Sequence, residues 1–260
     1  MGIQARAGAM TGQLDPTGSY IENPVGAGEG DFEEDLVGTI RFLEKGQLSL
    51  LLPIVETLRA APGLPSEFGG GVGDVNVGAR WDFRLASEQR GVPGVALLLG
   101  LTAPTGVPPE QAKTPLAVDA TGIGAFQGNV GLALEELVGR HLLVDASGLV
   151  SQRSTRSSLG VTSTLGTQLY GLLGAGWIFD GGEGLALLGT FTGERNATVD
   201  GEMVPDSGRS ETTLSVVAGT PLGGDWRLQG SVYDVLQVGG LGRNEPVGPG
   251  ATLVLIRSFL

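Results

Sequence analysis

The side chains with the most chemical potential in this chain stand at alternate positions of one segment. Carboxylates, an amide and guanidinium groups share one parity of Gly73–Leu85, GDVNVGARWDFRL: Asp74, Asn76, Arg80, Asp82 and Arg84. Such a row can form ion pairs that satisfy a polar interior, or it can line a pathway and select solutes by charge. The spacing therefore predicts a polar face on the element that carries it.

The other parity of the same segment is apolar. It carries Val75, Val77, Ala79, Trp81, Phe83 and Leu85. Only a β-strand sorts side chains with a period of two. A long strand with one apolar and one charged face suits a wall between lipid and water, so the pattern predicts a transmembrane β-barrel.

The composition supports an all-β chain. Its 260 residues include 46 glycines and 14 prolines, which disfavour long helices and favour turns. Apolar runs such as Val95–Leu99 are far shorter than the roughly 20 residues of a spanning helix. We therefore expect strands, and we expect residues 1–260 to form a single outer-membrane β-barrel domain.

Several kinds of chemistry are disfavoured. The chain has no cysteine, which excludes disulfides and thiol catalysis, and its net charge of −12 makes nucleic acid an unfavourable partner. The acidic stretch Glu29–Asp35 lacks calcium-loop spacing and is interpreted as a solvated loop and strand start. The glycine clusters Gly69–Gly73 and Gly239–Gly242 lack the following Lys-Ser/Thr of a phosphate loop. We expect no cofactor and no metal.

The single histidine is the one candidate for catalysis. His141 has Asp145 and Ser147 nearby in sequence, but a catalytic triad requires mutual geometry rather than proximity. His141 falls in a predicted turn, where a solvated side chain is the simpler interpretation. We therefore expect no catalytic residue and no enzyme.

The alternation continues along the chain and predicts about twelve strands, each long enough to cross a bilayer. The predicted strands are Gly2–Met10, Glu34–Leu43, Gln47–Leu58, Gly73–Leu85, Gly94–Pro104, Gly122–Leu134, Leu142–Ser151, Leu165–Phe179, Gly184–Arg195, Ser210–Pro221, Trp226–Leu236 and Ala251–Leu260. The fold class is thus an antiparallel up-and-down transmembrane β-barrel.

The connections alternate in length, as expected for short periplasmic turns and long extracellular loops. The short ones are Glu44–Gly46, Ala86–Pro93, Glu135–His141, Asp180–Glu183 and Leu222–Asp225. The others, mostly longer, are Thr11–Glu33, Arg59–Val72, Thr105–Thr121, Gln152–Thr164, Asn196–Arg209 and Gln237–Gly250.

Aromatic residues cluster beside the short connections. This distribution predicts a membrane-interface girdle at the periplasmic edge, and core aromatics of a soluble sandwich are the alternative. The predicted interface residues are Phe42, Trp81, Phe83, Trp177, Phe179, Trp226 and Phe259.

Parity assigns the two faces of the wall. We expect Leu142, Val144, Val150, Trp226, Leu228 and Val232 to face lipid. We expect the lumen, and a candidate solute pathway, to be lined by Arg41, Asp74, Asn76, Arg80, Asp82, Arg84, Gln127, Asn129, Asp145, Arg227 and Gln229. Leu50–Ile54, Leu97–Leu99 and Leu253–Ile256 are apolar on both faces, so the lumen is partly apolar there or a plug covers it.

Two motifs resemble a known family. Gly71–Phe83, GVGDVNVGARWDF, followed by Gly100–Gly106, GLTAPTG, is similar to the paired signatures of the phenol-degradation MetA-pathway family of outer-membrane proteins, a transporter family. The resemblance implies a Gram-negative outer-membrane barrel that imports small hydrophobic or aromatic compounds. Such barrels commonly end on an aromatic residue, whereas here Phe259 is penultimate and Leu260 is last.

The expected function is therefore a porin-like channel or transporter for small solutes, with outer-membrane lipid and an unidentified solute as partners. A structural or surface-display barrel that binds partners through its loops is the alternative, and a soluble β-protein is a third hypothesis. The segment Met1–Met10 lacks the features of a signal peptide, so we expect a mature or truncated form.

Overall fold

Twelve antiparallel strands form a closed barrel in the computed structural model, which describes residues 1–86, 88–89, 91–158 and 160–259. The strands are β1 (Gly2–Met10), β2 (Gly28–Phe42), β3 (Gly46–Ala60), β4 in two segments (Glu67–Val72 and Val75–Arg84), β5 (Gly94–Ala103), β6 (Gln127–Val138), β7 (Leu142–Arg153), β8 (Gln168–Ile178), β9 (Gly184–Glu194), β10 (Arg209–Gly223), β11 (Trp226–Val235) and β12 (Gly250–Arg257). The predicted fold class is confirmed.

Each strand pairs with its neighbours in sequence, and the first strand pairs with the last. The β1–β12 ladder runs from Gly2 opposite Ile256 to Gly8 opposite Gly250. Closure satisfies the backbone hydrogen bonds of both outer strands and leaves no exposed sheet edge. Because the strand number is even, both chain ends lie at the same end of the barrel.

Short connections join the strands at the end where the termini lie. Between β2 and β3, Leu43 and Glu44 take positive φ values of 48° and 59°, the backbone of a tight hairpin turn. The ladders carry irregularities near this end, between Asp82 and Arg84 and between Pro221 and Gly223. Each inserts one extra residue, which increases local twist.

Long connections at the opposite end carry structure of their own. One small sheet contains Gly12–Leu14, Tyr20–Glu22 and Pro246–Val247, and another contains Arg156–Ser158, Val161–Thr164, Thr198–Val199 and Glu202–Met203. Leu14 and Val247 of the first sheet form a buried apolar cluster with Val235 of β11. The helical element among the described residues is the single 3₁₀ turn Pro109–Gln111, so no described helix is long and apolar enough to cross a bilayer.

The acidic run is where the predicted elements differ most from the structure. Glu29–Asp35 was interpreted as a solvated loop and strand start, but it lies wholly within β2. The prediction was wrong because alternate carboxylates of the run face partners on neighbouring strands. Arg59, for example, donates to Glu29 at 2.8 Å.

Other boundaries also differ from the prediction. Residues 122–126 belong to the connection before β6 rather than to a strand, and β4 begins at Glu67 but breaks at residues 73–74. The break lies beside Pro53, whose carbonyl accepts a hydrogen bond from Gly73 N at 2.9 Å. The last strand ends at Arg257, and Leu260, with residues 87 and 90 of the predicted short connection 86–93, lies outside the described residues.

Candidate functional site: the barrel lumen

Burial identifies which face of the wall is lumenal. Most buried residues of the barrel strands occupy one parity of the paired ladders, and they are largely polar: Asp35, Thr57, Asp82, Ala96, Ala133, Ser151, Arg153, Glu194, Thr213 and Val235. Ladder partners share a face, so this set fixes the orientation of every strand. The opposite face carries exposed apolar side chains such as Val77, Leu132 and Val232.

An ion-pair cluster joins three lumenal strands near the short-connection end. Arg80 Nε donates to Asp82 Oδ1 at 2.9 Å, and Arg80 Nη1 and Nη2 donate to the two Glu135 oxygens at 2.6 and 2.9 Å. Arg41 Nη2 lies 3.7 Å from Asp82 Oδ2. Asp82 is 2% exposed, so these cations compensate a carboxylate that is removed from water.

A row of carboxylates runs up the lumenal face of β2. Glu29, Asp31, Glu33 and Asp35 alternate with outward residues, and their partners lie on both adjacent strands. Gln4 Nε2 donates to Asp35 Oδ2 at 2.8 Å, and Thr57 Oγ1 donates to Asp31 Oδ1 at 3.1 Å. The row gives this sector of the lumen a strongly acidic wall.

A second charged cluster lies at the long-connection end of the lumen. Glu194 pairs with Arg153 and with Arg209, and Arg209 Nε also lies 3.3 Å from Glu245 Oε1. Gln127 Oε1 accepts from Arg153 Nε at 2.8 Å, and Gln127 Nε2 donates to Asn129 Oδ1. Burial raises the pKa of the loop residue Glu245 to about 7, although Arg209 opposes the shift.

The connection 104–126 folds into the barrel. Val118 is buried against the lumenal face of Gly69, where an added Cβ would lie 2.8 Å from Val118 Cγ2. Asp74 Oδ1 and Oδ2 accept from Gly106 N at 2.8 Å and from Ile123 N at 2.7 Å. These contacts hold the connection across part of the lumen.

A second set of bonds keeps this connection compact. Asp119 accepts from the Thr114 hydroxyl at 2.6 Å and from Lys113 N at 2.8 Å. These bonds stabilise the ionised form and lower the pKa of Asp119 to about 2. The Arg59 guanidinium donates to Leu116 O and Ala117 O and so anchors the same segment to β3.

A depression of about 360 Å³ opens between the lumenal faces of β7–β11 near the short-connection end. Its lining includes Leu143, Gly176, Ile178, Gly184, Ala186, Leu188, Val217, Gly219, Arg227 and Gln229. Gly219 and Gly184 leave room for the Arg227 guanidinium, which lies about 3.5 Å from the position of a Cβ at Gly219. The site thus combines an apolar floor with one cation and one amide.

Most of the predicted lumenal residues share the buried face. Ladder partners place Arg41, Asn76, Arg80, Asp82, Gln127, Asn129, Asp145, Arg227 and Gln229 there. Asp74 lies at the break in β4 and binds the connection 104–126. Arg84 lies beyond the irregularity in β4, where its Nε donates to Pro93 O at 2.8 Å.

Sequence reasoning missed the carboxylates of β2 and the charges at the long-connection end. Glu29, Asp31, Glu33 and Asp35 alternate with Gly30, Phe32 and Glu34, so parity was the available signal. Glu34 weakened that signal, because it is a carboxylate on the outward parity. The pairing of Arg153 with Glu194 had no local signal, since the residues are 41 positions apart.

Aromatic side chains surround the short-connection end of the outer face. Phe42 packs against Trp81, with ring centroids 6.3 Å apart, and Trp177 and Trp226 are also outward and partly exposed. Phe32 lies ten residues above Phe42 on the same face of β2. At about 3.3 Å per residue and a tilt near 40°, this separation spans roughly 25 Å, the height of a lipid-facing band.

His141 belongs to this outer aromatic zone. Its ring stacks on Trp177 with centroids 5.2 Å apart, and Nδ1 lies 2.8 Å from Ile178 O. Its Nε2 lies 4.0 Å from Asp180 Oδ1. Within the described part of the chain, no group of three or more His, Cys, Asp or Glu side chains is placed to hold a metal ion.

Solved structures resemble this barrel over nearly its whole length. The COG4313 outer membrane channel from Pseudomonas putida F1 matches 99% of this chain and 94% of its own, with a TM-score of 0.77 and 19% identity. The fold is that of an outer-membrane β-barrel. The NanC porin (TM-score 0.56, 9% identity, 99% and 100% coverage) and the transport unit of the autotransporter AIDA-I from Escherichia coli (0.55, 12%, 99% and 90%) are more distant.

No protein-family model and no curated protein sequence matches the chain. The identities to the solved structures are low, so these likenesses bear on the fold.

Proposed function

We propose that this protein is a channel in the outer membrane of a Gram-negative bacterium and passes small solutes through its lumen. The observation that carries the proposal is a closed barrel with an apolar outer face and a charged inner face that contains a depression of about 360 Å³. A barrel whose lumen is filled only by packed apolar side chains would have neither a charged inner face nor an open depression. We assign residues 1–260 to one such barrel domain.

The lining of the depression favours small, largely apolar solutes with a polar group. Leu188 and Val217 offer an apolar surface, while Arg227 and Gln229 offer donors that orient a hydroxyl or carboxylate. Aromatic compounds fit this description, as the resemblance to the MetA-pathway family implies. We therefore propose that the chain is a member of this family and that its solutes are small aromatic compounds.

The lumenal charged residues have two roles in this proposal. Arg80, Asp82 and Glu135 hold strands together, and they also set the charge that a solute meets. The other predicted residues on the lumenal face, from Arg41 to Gln229, line the same pathway, whereas Arg84 lies at the rim. The connection 104–126 narrows the route, because Val118 and its neighbours occupy lumenal space. No residue in this proposal performs bond-breaking chemistry, and no cofactor is needed.

Planar-bilayer conductance combined with solute uptake into liposomes tests the proposal. We expect discrete conductance steps and uptake of small aromatic acids or alcohols. A barrel that inserts and remains sealed to ions and to these solutes would overturn the transport function.

A second function is favoured by the ordered loop sheets at the long-connection end. Arg156–Ser158 pairs with Val161–Thr164, which pairs with Thr198–Val199, so these loops present a built surface. Such a surface suits a display barrel that binds partners. Replacing residues 156–164 with a short linker would abolish partner adhesion with unchanged permeability if display is the function.

A further inference from the structure

An apolar groove of about 510 Å³ crosses the outer wall near the short-connection end. Its floor and sides are the outward residues Ile3, Leu36, Gly38, Leu50, Leu52 and Leu255. Ladder pairing places Leu255, Ile3, Leu36 and Leu52 in one row across four strands. At Gly38, the position of a Cβ has no heavy atom within 4 Å, so the groove is open at its middle.

Two cationic groups stand at the lower mouth of this groove, the Arg257 guanidinium and the Met1 ammonium, which donates to Arg257 O at 2.9 Å. The Arg257 guanidinium lies 5.5 Å from the ring centroid of Trp226 and 4.9 Å from that of Phe259. Arg257 is exposed, and it forms no ion pair with an acidic side chain among the described residues. The two rings hold its position and leave its hydrogen-bond donors available.

The height of Arg257 matches that of a lipid headgroup. It is the ladder partner of Trp226, which directly follows a short connection and lies at the same end as Phe42, Trp81 and Trp177. In the proposed orientation this end is periplasmic. Arg257 therefore lies at the interface of the inner leaflet, and the groove rises from it into the hydrocarbon region.

We propose that this groove binds one anionic glycerophospholipid of the periplasmic leaflet. The phosphate accepts hydrogen bonds from Arg257, and an acyl chain lies along Leu255, Ile3 and Leu36. Charge complementarity identifies the occupant, because an unpaired guanidinium at an interface favours an anionic headgroup. An apolar groove beside it favours a chain attached to that headgroup rather than a free phosphate.

This inference rests on the proposed membrane location but not on transport. Lipopolysaccharide would occupy the opposite leaflet, at the height of Phe32, and so it would miss Arg257. A second copy of the chain would cover the groove with protein and would exclude the lipid. A second copy gives a result in the vesicle experiment that differs from that of the phospholipid.

Trp226 provides a reporter inside the site. The chain has three tryptophans, so Trp81→Phe and Trp177→Phe leave Trp226 as the single tryptophan. This protein is reconstituted into phosphatidylcholine vesicles that contain a minor fraction of acyl-brominated phosphatidylglycerol or of acyl-brominated phosphatidylcholine. We expect about fivefold enrichment of the brominated anionic lipid at Trp226, the size expected for one basic residue at a membrane surface.

Two matched pairs of variants separate the headgroup from the groove. Arg257→Gln should strongly reduce the preference for the anionic lipid, since it leaves only the Met1 ammonium at this mouth. Arg140→Gln, an equal change of charge in a turn at the same end, should retain it. Gly38→Leu should fill the groove and abolish the enrichment, whereas Gly171→Leu should leave it unchanged. Gly171 is the matched control because it is outward and equally open, but lies on β8.

Each result has one meaning. Equal quenching by the two brominated lipids in the single-tryptophan protein overturns the lipid site, as does a preference that survives both Arg257→Gln and Gly38→Leu. A second copy of the chain would shield Trp226 and make quenching by both lipids weak. If this quenching becomes stronger when the protein is diluted in the bilayer, a second copy covers the groove and the lipid is overturned as occupant. Absence of quenching by either lipid at every dilution contradicts the membrane location itself. If Arg257→Gln fails to assemble, the glycine pair decides.

Discussion

Arg80 Nη1 lies 2.6 Å from Glu135 Oε1, although the two residues belong to strands that are not neighbours. Strand β5 separates β4 from β6. Arg80 is the ladder partner of Leu98 and Glu135 is that of Gly94, and the lumenal residue between these two positions is Ala96. Ala96 is 1% exposed. The small side chain allows the ion pair to cross a whole strand.

Arg80→Met should destabilise the barrel by about 3 kcal/mol, because it leaves Asp82 and Glu135 without their shared cation. Urea unfolding in lipid vesicles measures this change. Arg84→Met is the matched control, and it should change stability by less than about 1 kcal/mol, since its guanidinium contacts a carbonyl at the rim. Equal effects of the two variants would contradict the structural role of the cluster.

Val77→Arg should impair membrane assembly, whereas Asn76→Arg should be tolerated. Val77 is outward and lies four residues above Trp81, so an arginine there costs roughly 2–4 kcal/mol in hydrocarbon. Asn76 faces the lumen and donates to Thr102 Oγ1 at 2.8 Å. The shift between heated and unheated samples on a detergent gel reports the folded fraction, and equal tolerance of both variants would remove the case for a lipid-facing wall.

Ala186→Trp should reduce single-channel conductance severalfold by filling the lumenal depression beside Leu188. Ala218→Trp is the control, because Ala218 is the outward ladder partner of Leu185 on the same pair of strands. Planar-bilayer recordings compare the two proteins. An unchanged current in both variants would place the pathway elsewhere in the lumen.

Asp74→Ala should release the connection 104–126 and raise conductance and its noise. The variant removes the acceptor of Gly106 N and of Ile123 N. Asp145→Ala also removes a lumenal carboxylate, but among the described residues Asp145 accepts no hydrogen bond from this connection. A rise in current in both variants would indicate an effect of charge rather than of the connection.

The attachment of residues 236–249 should weaken as pH rises through the range between about 4.5 and about 7. Burial raises the pKa of Glu245 to about 7 from its ordinary value of 4.5, so the folded loop binds a proton that the released loop gives up. The loss is at most about 3 kcal/mol, since one pKa unit corresponds to about 1.4 kcal/mol.

Trypsin cleavage at Arg243, compared at each pH with Glu245→Gln, measures this loop opening. The glutamine variant keeps the neutral form, so the ratio of wild-type to variant cleavage should rise with pH and level off above about 7. Arg209, Glu194 and Glu211 face the same carboxyl and remain in both proteins. A ratio that is independent of pH would contradict the assignment.

Much of the fold was readable in the sequence because a barrel wall imposes a period of two on every strand. The residue types of Val77 and Asn76 predict opposite faces of the strand even when their spatial neighbours are unknown. The positions of the short turns predict the number of strands. The apolar and polar environments act on each residue locally, so a local pattern suffices.

What only the tertiary structure decided depends on contacts between distant segments. Carboxylates from Glu29 to Asp35 resembled a solvated loop until Gln4, Thr57 and Arg59 were found beside them. Contacts between distant segments also determine the pairing of Arg80 with Glu135 and the entry of residues 104–126 into the lumen. Such interactions depend on closure of the barrel, which brings side chains far apart in sequence within hydrogen-bond distance, and no local period encodes that distance.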